Sequence, residues 1–378
     1  MCCVLHRYRD FLVSSPRASR RQQVYCIALI PISDILQVKP SLFSSMAYTV
    51  PEGSYFDYAS RLKGQTVVIT GAANGIGKVA AQYFASYGAN VVIGDIDTIA
   101  AAKTAKEIED DGGKVVYQAC NVVNYDDLVA LFDLAIKSYG RIDVVIPNAG
   151  VTERGHLTEL QYDERGYPIK PSLKTLDINL ISVTYATQLA NHFFIQNKNA
   201  DSLKRLVLIG SMASIMGIPG APMYSASKHA ILGLMRALRM EFETTGLHIS
   251  TVCPWFADTA IVPAGFKLFM SGIPFVPVPK VAATIILAAT DPSPESQGAT
   301  YTIPDEQSVI RIAHQEIGDG VYKLLSDRVK RVMGFRQTMI TAKASLGLIF
   351  GSLAFKLLTL CFIAYWGVQL GSNRFNLF

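Results

Sequence analysis

Tyr224 and Lys228 stand four residues apart in an alanine- and leucine-rich stretch, Ala221 to Thr244, whose composition fits a helix. At that spacing both side chains share one helix face. An ammonium held beside a phenol favours the phenolate and draws the tyrosine pKa down towards working pH. Such a pair can exchange a proton with a substrate oxygen while hydride moves to or from the same carbon. Ser211, thirteen residues upstream of Tyr224, ends the apolar run Leu206-Val207-Leu208-Ile209 and is placed to hold that oxygen at the carboxyl edge of a sheet. A lone Tyr-x-x-x-Lys is most often an ordinary surface pair, so the weight falls on what accompanies it.

A hydride needs an acceptor, and the chain offers a place for one. Thr66-Val67-Val68-Ile69 is a β-branched run suited to a buried parallel strand, and from Gly77 through Phe84 the pattern turns helical. Between them runs Thr70-Gly71-Ala72-Ala73-Asn74-Gly75-Ile76-Gly77. A strand, a glycine turn and a helix N-terminus make a pyrophosphate site: bare backbone can approach the phosphates, and unpaired N–H groups face them along the helix dipole. Gly71, Asn74, Gly75, Ile76 and Gly77 are therefore expected to border a dinucleotide.

The next strand, Asn90-Val91-Val92-Ile93-Gly94, ends at Asp95, about where a carboxylate binds the adenosine ribose. Such a carboxylate accepts hydrogen bonds from the ribose hydroxyls and repels a 2′-phosphate. Neither Asn74 nor Ile96 supplies the positive charge that NADP would want, so NAD is favoured over NADP. Taken alone, Asp95 would read as a strand-end turn former.

With these residues in order, the chain resembles the short-chain dehydrogenase/reductase family in its compact, single-domain branch, over roughly residues 60 to 305. The resemblance implies an α/β fold, a Rossmann-type doubly wound parallel sheet in one domain. Pro147-Asn148-Ala149-Gly150 matches the family's Asn-Asn-Ala-Gly motif, which supports the sheet and borders the cofactor at Asn148. Asp177-Ile178-Asn179-Leu180 supplies the fourth catalytic position, Asn179, which organises a water-mediated proton relay from the lysine. The implied catalytic set is Asn179, Ser211, Tyr224 and Lys228, the last two also touching the cofactor. Cys253-Pro254 followed by Thr259 matches the segment that holds the nicotinamide carboxamide, and Asn121 with Val122 matches the adenine edge. Within the family, Tyr224 to His229 and the insertion Asp163 to Leu180 resemble 15-hydroxyprostaglandin dehydrogenase-like and fungal secondary-metabolite alcohol dehydrogenases.

Three positions depart from the family pattern. Asn121 replaces an aspartate, Pro147 replaces the first asparagine of its motif and removes a donor, and Trp255 replaces the glycine after Pro254. The family also implies a homo-oligomer.

Further strands are expected at Lys114 to Cys120, Ile142 to Ile146, His248 to Cys253 and Ala299 to Ile303. Helical patterns at Ala100 to Asp111, Tyr125 to Tyr139, Leu173 to Gln196 and Pro279 to Ala289 lie between them. This alternation implies a parallel sheet covered on both faces. The formal charge is +4 over residues 1–45, −6 over 46–322 and +7 over 323–378. An acidic body argues against a nucleic-acid partner despite the net charge of +5. The six cysteines follow no disulfide or metal spacing, so no metal is expected and a reducing compartment is the economical inference.

The ends read differently from the body, residues 46–322. Residues 1–45, basic and serine-containing, fit a transit segment or an over-long gene model with Met46 as the start. After a basic linker at 323–344, residues 345–370 are apolar enough for a C-terminal hydrophobic helix, leaving 371–378 as a tail. That helix is a candidate bilayer span, although Lys356 would cost about 2.5 to 3.5 kcal/mol at mid-membrane. The flanking cations would then hold the domain on the cytosolic side as a single-pass, membrane-associated protein. The alternatives are a helix packed on the domain, and a cytoplasmic protein.

Between Thr259 and Pro279, where the family carries a lid, lie Ile261, Val262, Phe266, Leu268, Phe269, Met270, Ile273 and Phe275. An apolar lid fits a small lipophilic alcohol or ketone. The expectation is an NAD-dependent oxidoreductase acting on CH–OH groups by a Tyr-Lys-Ser-Asn mechanism. The alternative is a catalytically idle NAD-binding sensor or scaffold, which would have no need of the complete set.

Overall fold

The β-branched runs fold into one nine-stranded sheet, seen in a computed structural model that describes residues 47–155, 157–158, 160–259, 262, 270–314, 327–329, 331, 332, 334 and 338. Its strands are β1 Ala47–Val50, β2 Thr66–Thr70, β3 Asn90–Asp95, β4 Lys114–Ala119, β5 Val144–Pro147, β6 Arg205–Ile209, β7 His248–Pro254, β8 Thr300–Ile303 and β9 Val309–Ile312. They lie in the order β1-β9-β8-β7-β6-β5-β2-β3-β4. From β4 to β8 every pairing is parallel. β2, β5, β6 and β8 are buried along their whole length, as strands covered on both faces must be.

Helices α1 Gly75–Ser86, α2 Thr98–Asp110 and α6 Val278–Thr290 bury Phe84, Ile108 and Ile285 against one face. Helices α3 Tyr125–Tyr139, α4 Ser182–Gln196 and α5 Pro222–Thr244 bury Phe132, Phe194 and Met235 against the other. The sheet is thus doubly wound, and its order reverses at β2, which pairs with β3 on one side and β5 on the other. Ligands of such sheets bind in the crevice at the carboxyl ends of the strands beside that reversal.

Each expected inner strand and helix is present to within two residues at its ends, except that the stretch Leu173 to Gln196 is divided into a short helix at Lys174–Leu176, a π-helical turn at Asp177–Ile181 and α4. Two strands were not expected. β9 pairs antiparallel with β8 after a turn in which Asp305 Oδ1 accepts from the N–H groups of Gln307 and Ser308, and β1 pairs antiparallel with β9. Each has four residues, and β1 has one buried position, too little for a periodic signal.

The membrane expectation is corrected. Among the described residues no helix is long and apolar enough to cross a membrane, which overturns the single-pass placement and the association drawn from it. The longest described helix, α5, carries Lys228, Arg236, Arg239, Glu241 and Glu243 and packs on the sheet. Residues 1–45, 345–370 and 371–378 lie outside the described residues, as does most of 323–344.

Candidate active site

The glycine turn sits at the switch point, joining β2 to α1. Gly71 and Gly75 take φ of +66° and +58°, where a side chain is strained, and a Cβ on Gly71 would meet the Cα of Ala149 at 2.6 Å. A Cβ on Gly77 would strike the carbonyl of Gly71 and come 2.5 Å from Asn148 Nδ2. Asn148 Nδ2 donates to the carbonyls of Thr70 (3.1 Å) and Gly71 (2.8 Å), so the motif after β5 clamps the turn from below. Pro147 ends β5, where its missing donor costs little.

The turn leaves donors to spare. α2 and α3 are capped by the side chains of Asp97 and Asn124, whereas Asn74 at the N-cap of α1 makes no side-chain capping bond. The leading N–H groups of α1, from Gly75, Ile76 and Gly77, are then suited to an anion. Thr259 lies opposite, its methyl carbon 3.4 Å from the point a Cβ on Gly75 would occupy. Its buried Oγ1 has no hydrogen-bond partner among the described residues. An uncapped helix start facing an orphaned hydroxyl fits a cofactor carrying both phosphate and amide groups.

Asp95 closes the other side. Its Oδ2 accepts from the N–H of Ala73 at 2.9 Å and its Oδ1 from that of Asp97 at 3.0 Å, tying the turn to the end of β3. Lys78 in the first turn of α1 is engaged by Glu107 at 2.7 Å. Asn121 is exposed and spends its Oδ1 on the N–H of Val123 at 3.3 Å, while Val122 is buried.

The four candidate catalytic residues converge above β5 and β6. Asn179 sits in a π-helical turn, Asp177–Ile181, between the short helix Lys174–Leu176 and α4. It exchanges two 2.8 Å hydrogen bonds with the backbone of Val151. A Cβ on Gly150 would lie 3.3 Å from Asn179 Oδ1 and 4.0 Å from Lys228 Nζ, so that glycine keeps the space between them open. Lys228 is buried, donates to the carbonyl of Ile209 at 2.9 Å and lies 5.8 Å from the centroid of the Tyr224 ring. Ser211 begins a 3₁₀ turn, Met212–Ser214, where its N–H donates to Ser214 Oγ and its Oγ accepts from the N–H of Ala213. Its hydroxyl acts on the Tyr224 phenol, pulling that group's pKa downward.

Burial sets the electrostatics. It lowers the Lys228 ammonium to about 8, against the opposing pull of the Cys253 thiol beneath it. It raises the Tyr224 phenol above its ordinary value, while the Ser211 hydroxyl acts in the other direction. The lowering expected for Tyr224 from its lysine neighbour is therefore outweighed by desolvation. Cys253 itself is pushed up to about 11 by burial, which makes it an inert thiol.

Glu153 was missed in the sequence. It accepts from the N–H groups of Met223 (3.3 Å) and Tyr224 (2.8 Å) at the start of α5. The available signal was negative: Pro222 opens the helix with Ala221 before it, a residue that cannot cap. Trp255 donates its N–H to Ile303 and sets its ring edge-on to Phe256 at 4.8 Å. Of the expected lid, residues 260, 261 and 263–269 lie outside the described residues; Val262 and Met270 are buried, and Phe275 approaches Phe256 at 6.5 Å.

Fold and site together define an oxidoreductase of Rossmann type that uses a nicotinamide cofactor. The family model for short chain dehydrogenase matches residues 65–266, more than half of the chain, and the chain belongs to that family. A 3-oxoacyl-(acyl-carrier-protein) reductase of Thermotoga maritima is 30% identical over 240 residues, 62% of this chain and 93% of that protein. A 5′-hydroxyaverantin dehydrogenase of Dothistroma septosporum is 32% identical over 214 residues, 53% and 70% of the two chains. The crystal structure of a Brucella melitensis 3-ketoacyl-(acyl-carrier-protein) reductase complexed with NADH shares the fold, with a TM-score of 0.56, 23% identity, and 65% of this chain and 98% of that one covered.

Proposed function

We propose that the chain interconverts a lipophilic secondary alcohol and its ketone with NAD as the hydride partner. The observation that carries this reading is the buried Lys228, whose ammonium lies 5.8 Å from the centroid of the Tyr224 ring and donates to the carbonyl of Ile209 at the end of β6, two residues before Ser211. A binding module has no use for a buried lysine next to a tyrosine, since burying that ammonium is costly.

In the oxidation direction the substrate hydroxyl lies between Ser211 Oγ and Tyr224 Oη. Tyr224 takes the hydroxyl proton only as the phenolate, its own proton having first left by the relay at Lys228 and Asn179; Ser211 donates to the developing carbonyl oxygen, and Lys228 holds positive charge close to the phenolate. Asn179 fixes the loop through Val151 and stands at the open space beside Gly150, on the side from which a proton could be relayed to Lys228. A nicotinamide held at this edge of the sheet would supply the hydride chemistry. The phosphates would lie on Gly71, Gly75, Ile76 and Gly77, the amide at Thr259, and the adenosine ribose at Asp95.

NAD is preferred because Asp95 and Asp97 bracket the exposed Ile96 and the nearby Lys78 is engaged by Glu107. A lipophilic substrate is supported by apolar residues left exposed on the loops beside the site, Leu157 and Leu160 after Glu153 and Ile215 and Met216 after Ser211. The homo-oligomer is carried over from the family as part of the same reading.

The test is NAD reduction followed by absorbance on a panel of lipophilic secondary alcohols, with NADH oxidation on the matching ketones. Turnover of at least one pair supports the assignment. NAD binding without turnover of any member would favour the idle sensor.

A further inference from the structure

α5 has a defect at its start that its own sequence does not repair. Its first residue is Pro222, its N-cap is Ala221, and no local side chain accepts from the leading N–H groups. A helix start without a cap leaves orphaned donors. Here the next two residues, Met223 and Tyr224, donate to the two carboxylate oxygens of Glu153, seventy residues back. The cap therefore lands on the residue whose phenol faces the substrate.

Glu153 belongs to a four-residue strap that touches both helices of the site. Val151 exchanges two hydrogen bonds with Asn179. Thr152 accepts through its carbonyl from Thr175 Oγ1, which in turn accepts from the N–H of Arg154 at 2.8 Å, and Thr175 is fully buried. One side of the strap holds the segment carrying Asn179 and the other holds the helix carrying Tyr224 and Lys228. The strap's length and its two anchor points set the spacing between these groups.

We propose that Glu153 is a positioning residue: by capping α5 from the strap, it holds the Tyr224 phenol in register with Asn179 and the substrate oxygen. A carboxylate suits the place, since it meets two N–H donors and the positive end of the helix dipole. This proposal rests on the alcohol dehydrogenase reading of the site.

The experiment compares wild type, Glu153→Gln, Glu153→Ala and Tyr224→Phe on a working alcohol, well below their unfolding temperatures. Folding is verified by circular dichroism and amide exchange is followed over residues 222–228. Glu153→Ala is expected to lose exchange protection there and to lose kcat on the order of 10- to 100-fold, with the KM for NAD unchanged. Glu153→Gln keeps an acceptor for Tyr224 and should recover most of both. A folded Glu153→Ala enzyme with wild-type kcat would reduce the residue to a stability cap and overturn the proposal. Unchanged amide protection would overturn the contact itself. A wild type inactive on every alcohol and ketone would instead sink the proposed function, and this role with it.

Discussion

Asn148 Nδ2 donates to the carbonyl of Gly71 across 2.8 Å, linking the end of β5 to the first glycine of the turn after β2. Gly77, in the first turn of α1, lies against both partners, and a Cβ there would meet that carbonyl and the Asn148 amide. The turn and the clamp thus share one packed contact in which there is no room for a methyl group.

Gly77→Ala should push Asn148 off the turn and raise the Kd for NAD at least about tenfold while the sheet remains folded. Titration of NAD by calorimetry reads this directly. Wild-type affinity in the variant would mean that the turn is not the phosphate site.

Tyr224→Phe should lower kcat by about 10²- to 10⁴-fold, the range for removing a general acid or base, and leave NAD binding within about twofold. Steady-state rates together with cofactor titration separate the two. A variant turning over near the wild-type rate would remove Tyr224 from the proton path.

Asp95→Ala should weaken NAD more than NADP, because it removes the acceptor for the ribose hydroxyls and the repulsion of a 2′-phosphate. Part of the loss will come from the turn, since Asp95 also accepts from Ala73. The decisive comparison is the NAD-to-NADP ratio of kcat/KM in wild type and variant. A wild type already faster with NADP at equal concentration would contradict the cofactor assignment.

His248 makes a prediction about acid stability. Burial and the nearby guanidinium groups of Arg205 and Arg61 hold its imidazole well below the ordinary 6.5. As pH falls through about 6.5 the unfolded chain takes up a proton that the folded chain refuses, so stability declines from there downward and levels off once the folded pKa is passed. Above pH 7 the contribution vanishes. Urea midpoints between pH 5 and 8 should show this slope in wild type and a flatter one in His248→Gln. Equal slopes would mean that His248 is not the titrating group.

Local features of this protein were legible in the sequence because neighbours along the chain determine them. β-branched runs gave the inner strands, alternation with helical patterns implied the doubly wound sheet, and the four-residue spacing put Tyr224 and Lys228 on one helix face. The glycine turn was visible for the same reason, since φ of +66° and +58° at Gly71 and Gly75 is a property of those residues. Packing decided the rest. Thr259 faces Gly75 and Asn148 clamps Gly71 only because separate strands end at the same edge of the sheet. β1 and β9 exist as strands through pairing with one another and with β8. The cap on α5 comes from Glu153, far away in sequence, and the Tyr224 phenol moves up because burial, which no spacing rule encodes, outweighs its neighbours. Spacing along the chain selects which side chains share an element, whereas hydrogen-bond partners and desolvation depend on which elements meet.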